Sequence, residues 1–141
     1  MKRNIGRIDK ADFPLLNLND VDVKVDTGAY TSSIHCKNVK IEDNYLKCNF
    51  LDKEHPDYNE REIVFDNYDV KVVKSSNGQS QARYQIETVI VLFGKIYPIH
   101  LTLSDRDDMK YPVLLGRKFL TKKFNVDINK TNLSFKLKNK K

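Results

Sequence analysis

Two short apolar segments, each running into a glycine, constrain this chain most: Val25-Asp26-Thr27-Gly28-Ala29 and, far downstream, Val113-Leu114-Leu115-Gly116-Arg117. The first ends Val21-Asp22-Val23-Lys24-Val25, which alternates apolar and polar residues as a half-buried strand does. Further β-type segments at 39–41, 46–50, 63–65 and 70–73 are divided by turn residues such as Asn44 and Asp66-Asn67. The longest pair, 84–93 and 96–103, meets at Gly94-Lys95 and predicts a β-hairpin. A second hairpin is expected from 124–128 and 133–137 across residues 129–132. One helix is expected, over 117–123 directly after Gly116, and residues 104–109 can add a turn. Many short strands with one late helix predict an all-β barrel or sandwich, in a single domain spanning 1–141.

Composition narrows the classes. A chain of 141 residues can bury an adequate core. With 40% hydrophobic and 31% charged residues, its balance is that of a folded chain rather than a disordered one. No apolar run approaches the roughly 18 residues of a membrane helix, so no membrane partner is expected. Met1-Lys2-Arg3-Asn4-Ile5-Gly6 turns polar too soon for a secretory signal, which makes a cytoplasmic location the expectation. The net charge of +6 would suit nucleic acid, yet nineteen of the 25 basic residues are lysines spread along the chain and thickened at 136–141. Scattered charge of this kind gives non-specific attraction, so no specific nucleic-acid partner is expected.

The chemistry centres on Asp26. Gly28 permits a backbone conformation that a side chain would block, Thr27 offers a hydroxyl to a partner chain, and Gly28 or Ala29 can offer N–H groups to the carboxylate. Two such carboxylates about 3 Å apart cannot both ionise and share one proton. The ionised member then takes a proton from water while the other donates to a scissile carbonyl oxygen. The chain holds one copy of the motif, so the simplest reading is a homodimer contributing Asp26 twice. Two alternatives stay open: a plain Asp-Thr-Gly turn, and an intramolecular second acid from Asp105, Asp107 or Asp108. Residues 74–81, polar and glycine-containing, are expected as the tip of a mobile hairpin, and the charged stretch 52–62 reads as a solvated loop.

These pieces in this order resemble the retropepsin-like aspartic peptidases. The set 23–35, 83–88 and 103–117 is most similar to a bacterial and archaeal branch named for ATP-dependent zinc proteases and associated with ATP-grasp glutamate ligases. The resemblance implies a closed β-barrel with one short C-terminal helix and a flap hairpin, a homodimer, and hydrolysis of a peptide or protein substrate at the subunit interface. It implies catalytic roles for Asp26, Thr27 and Gly28, with Leu115, Gly116 and Arg117 structural beside them. Substrate contacts are expected from Ala29, Arg83 and Arg106, and from Ser76, Asn77 and Gly78 in the flap. Arginine suits planar carboxylates, so Arg83 and Arg106 in the cleft would select glutamate-rich peptides; structural ion pairing is the equal alternative. Association with the ligases makes an ATP-grasp ligase a candidate partner.

In retroviral relatives the matching Arg117 braces the dimer through an Asp after the motif. Here Tyr30-Thr31-Ser32-Ser33 stands there instead, so that brace is rewired or absent. The zinc in the branch name finds no His-Glu-x-x-His, and His35, His55 and His100 are far apart, so no metal is expected. No phosphate loop of the Gly-x-x-x-x-Gly-Lys type occurs, and no cofactor is expected. His35 faces either the site or an ordinary surface or interface. Cys36 and Cys48 lack metal or redox spacing and read as free thiols, with no activating partner for a cysteine mechanism. Two other classes compete with the peptidase: a non-catalytic dimeric module binding acidic peptides or a ligase, and a basic RNA-associated barrel, which lacks a recognisable aromatic spacing.

Overall fold

Alternation of apolar and polar residues lays down nearly every strand. The computed structural model describes residues 2–51, 61–74, 78–105 and 110–140. In chain order the strands are β1 (Arg3–Ile5), β2 (Ile8–Phe13), β3 (Leu18–Val25), β4 (Ser32–Glu42), β5 (Tyr45–Phe50) and β6 (Glu62–Phe65). They continue with β7 (Asp69–Lys74), β8 (Ser80–Leu92), β9 (Lys95–Ser104), β10 (Val113–Leu115) and β11 (Phe124–Val126). A 3-10 turn (Pro14–Leu16) and two short helices, α1 (Arg117–Leu120) and α2 (Leu133–Lys138), complete the described elements.

Six strands close a barrel in the order β10-β3-β2-β8-β9-β4, with β4 pairing back onto β10. This is the all-β, retropepsin-like barrel the sequence leads one to expect. Inward positions on β3 (Val21, Val23, Val25) and on β9 (Ile99, Leu101, Leu103) fill the core and leave intervening residues on the outer face. Two strands outrun the barrel. β4 is 11 residues long and carries β5, on which β6 is paired; β8 is 13 residues long and its first half pairs with β7 as a projecting arm.

The β8–β9 hairpin turns on Phe93 and Gly94, whose φ angles of 55° and 70° both lie in the left-handed region. That pair makes a two-residue turn matching the strand twist, one residue earlier than Gly94-Lys95. The Phe93 ring joins Phe124, Tyr97 and Phe119, with centroid separations of 5.6–6.0 Å, and this aromatic cluster seats α1 against β9 and β11.

The C-terminal hairpin expected from 124–128 and 133–137 does not form. β11 pairs in parallel with β1, and Leu133-Ser134-Phe135-Lys136-Leu137 is helical as part of α2, so the described residues hold two short helices where one was expected. The deciding group is Asp9. Its buried carboxylate accepts from the N–H groups of Ser134 (2.9 Å), Phe135 (3.1 Å) and Lys10 (2.8 Å), satisfying orphan donors at the start of α2. We expect Asp9→Ala to lower stability by about 2–3 kcal/mol, since bonds to a buried charge are lost and donors are stranded. A lower urea midpoint at unchanged slope would show this; an unchanged midpoint would remove Asp9 as the anchor. α1 is also shorter than expected, ending at Leu120 rather than residue 123. Among the described residues no helix is long and apolar enough to cross a membrane.

Candidate active site

The Asp26 turn is built by two segments distant in sequence. Parallel pairing sets Leu115 beside Val25, and the ladder runs one residue further: the Asp26 N–H donates to Leu115 O at 2.9 Å. The Val25 N–H donates to Arg7 O at 2.9 Å, bringing the start of β2 alongside. The Ala29 N–H closes the turn onto Asp26 O at 3.2 Å, and the Gly28 N–H donates to Asp26 Oδ1 at 3.1 Å, aiming the carboxylate. From below, the Arg117 and Lys118 N–H groups donate to Ala29 O (2.8 Å) and Tyr30 O (2.9 Å), and Arg117 Nη1 donates to Thr27 O at 2.9 Å. Four of the five carbonyls from Asp26 to Tyr30 are therefore engaged, which holds an otherwise exposed loop in one shape.

Gly116 is where the two segments press together. A Cβ there would lie 2.6 Å from both Tyr30 O and Thr31 O, and the Gly116 N–H donates to the buried Ser32 Oγ at 3.0 Å. Leu115 and Gly116 are buried, while Arg117 is exposed with its guanidinium 5.8 Å from the Tyr30 ring centre. The brace expected to be rewired or absent runs within the chain, from Arg117 to the carbonyl of Thr27.

Asp26 is half-buried, and Thr27 and Gly28 are exposed, so the carboxylate end of the loop is open to a ligand. Ala29 uses its N–H on the Asp26 carbonyl, leaving Gly28 as the carboxylate donor. Gly78 is exposed at φ +83°, just ahead of β8, in a conformation that favours glycine. Arg83 lies on the arm opposite Lys71 and donates to Gln81 Oε1 at 3.1 and 3.3 Å. Asp105 ion-pairs with Lys37 at 2.8 Å. Ser76, Asn77, Arg106, Asp107, Asp108 and most of the 52–62 loop, His55 included, lie outside the described residues.

His35 is not a surface residue: it is buried, with Nδ1 3.2 Å from Ser104 O. Cys36 and Cys48 are buried free thiols, and the hydrogen bond that the Cys36 S–H donates to the Cys48 sulfur, together with burial, pushes the Cys36 thiol up, away from thiolate reactivity. Glu87 and His100 oppose each other on β8 and β9 in a cleft of about 290 Å³ under α1, whose lining does not include Asp26. Among the described residues no three His, Cys, Asp or Glu side chains gather closely enough to hold a metal.

Sequence reasoning missed three residues around the strand that carries Asp26: Arg7, whose carbonyl accepts the Val25 N–H, and Lys24 and Tyr111, the ring centre of Tyr111 lying 6.0 Å from Lys24 Nζ. The alternation of Val23-Lys24-Val25 already places Lys24 on the outer face, and Ile8-Asp9-Lys10-Ala11-Asp12-Phe13 alternates as well, but its inward Asp9 disguises β2 as a surface segment. No local signal marks Tyr111.

The family model described as "Retropepsin-like aspartic endopeptidase RimB", of the RimB-like family, matches residues 5–136. A protein of Shewanella pealeana named "Probable alpha-L-glutamate ligase" is 38% identical over 127 residues, covering 87% of this chain and 28% of that protein. One of the same name from Desulfotalea psychrophila is 34% identical over 132 residues, covering 89% and 28%. The chain thus spans little more than a quarter of the length of the curated relatives it matches. A crystal structure of a Legionella pneumophila protein of unknown function superposes with a TM-score of 0.74 at 27% identity, covering 95% of this chain and 99% of that one.

Proposed function

The chain belongs to the RimB-like family of retropepsin-like aspartic endopeptidases, and on that premise we propose that it hydrolyses peptide bonds as a homodimer, each protomer contributing Asp26. The observation that carries this reading is the Asp26 carboxylate, aimed by the Gly28 N–H on a loop clamped from β10 and α1. One ionised Asp26 removes a proton from water as the water oxygen attacks the scissile carbonyl carbon. The protonated partner donates to the carbonyl oxygen, and the tetrahedral intermediate collapses as a proton passes to the leaving amine. Tyr30, in the loop itself, is 57% exposed, and a second copy would cover its ring. The arm of β7 and β8 closes over an extended substrate and excludes water.

Relatives named for glutamate ligation support an acidic, glutamate-rich substrate and a ligase partner. They also favour a second reading, a non-catalytic dimeric module docked on a ligase.

Hydrolysis of a glutamate-tailed peptide, with and without chelator across a protein dilution series, separates these readings. The expected result is cleavage indifferent to chelator, with specific activity falling on dilution as dimers dissociate. Loss with chelator would replace the mechanism by a metal-dependent one. No cleavage at any concentration would move the chain to the binding module.

A further inference from the structure

We infer that Lys24 is the residue that selects a carboxylate side chain next to the scissile bond; the inference rests on reading the Asp26 loop as the substrate site. Val23 and Val25 point into the core, so Lys24 stands on the opposite face, exposed, two residues before Asp26. Strand alternation sends Lys24 and Asp26 to the same side, about 6.6 Å apart along the chain at 3.3 Å per residue. An extended peptide crossing the loop advances by the same step, so a side chain flanking the cleaved bond comes within reach of the Lys24 ammonium.

The surroundings fit an acidic side chain. The register places Ile8 and Leu114, both half-buried, on either side of Lys24 across β2 and β10, giving apolar walls for methylene groups. The Tyr111 ring centre lies 6.0 Å from Lys24 Nζ and 5.8 Å from Lys110 Nζ, so one aromatic ring steadies two ammonium groups. Neither lysine has a carboxylate at ion-pair distance among the described residues, although seven ion pairs occur elsewhere on them. Positive charge with no carboxylate partner among the described residues, set between apolar walls beside a reacting group, is a receptor for substrate carboxylate. Arg83, in contrast, is occupied by Gln81 on the arm.

The test measures binding rather than turnover, so it reads out even if the chain cleaves nothing. Full-length Asp26→Asn and the double variant Asp26→Asn/Lys24→Leu are titrated calorimetrically with C-terminally amidated six-residue peptides of glutamate or glutamine. A free-acid glutamine peptide is the third ligand. Loss of a charge-assisted contact should weaken the glutamate peptide roughly tenfold or more. The glutamine peptides should be unmoved, and Lys24→Arg should restore most of the loss. Raising the salt concentration should narrow the difference. Equal affinity of both proteins for the glutamate peptide, or no binding of it at all, overturns the inference. So does an equal loss on all three peptides, and so does a loss confined to the free-acid glutamine peptide, which would assign Lys24 to the chain end.

Discussion

Asp26→Asn should reduce peptide hydrolysis by a factor on the order of 10²–10⁴ or more, the range general acid–base groups supply, while leaving fold and dimer intact. The reason lies in what the substitution keeps. Asparagine has the same shape, and its amide oxygen can still accept the Gly28 N–H that now meets Asp26 Oδ1 at 3.1 Å. The backbone bonds from Asp26 N to Leu115 O and from Ala29 N to Asp26 O do not involve the side chain at all. What disappears is the ionisable group: an amide cannot take a proton from water, and a dimer of two amides has no proton to share. Turnover on a glutamate-tailed peptide, thermal unfolding and sedimentation equilibrium should be measured on the same preparations. Lost turnover with wild-type melting and mass would place the effect in chemistry. Full turnover in the variant would end the aspartic mechanism, and loss of the dimer together with activity would make Asp26 an assembly residue instead.

Gly116→Ala should act through packing. Its Cβ would meet two backbone carbonyl oxygens, Tyr30 O and Thr31 O, each at 2.6 Å. Neither atom is the loose end of a side chain, so the loop or α1 must move. Overpacking of this kind costs about 1–3 kcal/mol, a fall in Tm of roughly 3–10 °C for a chain of this size. The same displacement pulls at the bonds from Arg117 N to Ala29 O and from Gly116 N to Ser32 Oγ, and so at the aim of Asp26. A misplacement near 1 Å can cost about 10²-fold in rate, so activity should fall further than the fraction unfolded explains. Wild-type Tm with wild-type kcat would mean that the contact relaxes freely and that Gly116 is not required there. Activity falling only in step with unfolding would confine the glycine to stability.

Much of the site could be read from local pattern. The strand into Asp26, the glycine turn after it and the apolar run into Gly116 and Arg117 each carry their own period and turn chemistry, and each occurs in the fold. So does the long β8–β9 hairpin, where alternation on both arms meets a residue pair able to take positive φ. Local pattern misled at the C-terminus. Leu133-Ser134-Phe135-Lys136-Leu137 has a two-residue period, yet it is helical, because a carboxylate 125 residues upstream of Ser134 satisfies the first N–H groups. It was silent about Arg83, whose direction depends on Gln81 and on the arm, and about Tyr111, which gains meaning only from the lysines beside it.

The division follows from the range of the forces. Side-chain period and turn preference act within a few residues, so the chain itself dictates where Asp26 sits on its strand and that a turn follows. The glycine-only backbone expected of Gly28 is not found: its φ is not positive, and an added Cβ would meet only Asp26 Oδ1 at 3.4 Å. Barrel closure acts over far longer separations, as in the bond from Arg117 to Thr27 across 90 residues. No residue-level preference specifies such a contact, which forms when buried strands must pair every backbone group with some partner. Folding therefore settles that Leu115 supports Asp26, that Arg117 braces the loop from inside the chain, and that Tyr111 comes to lie beside Lys24.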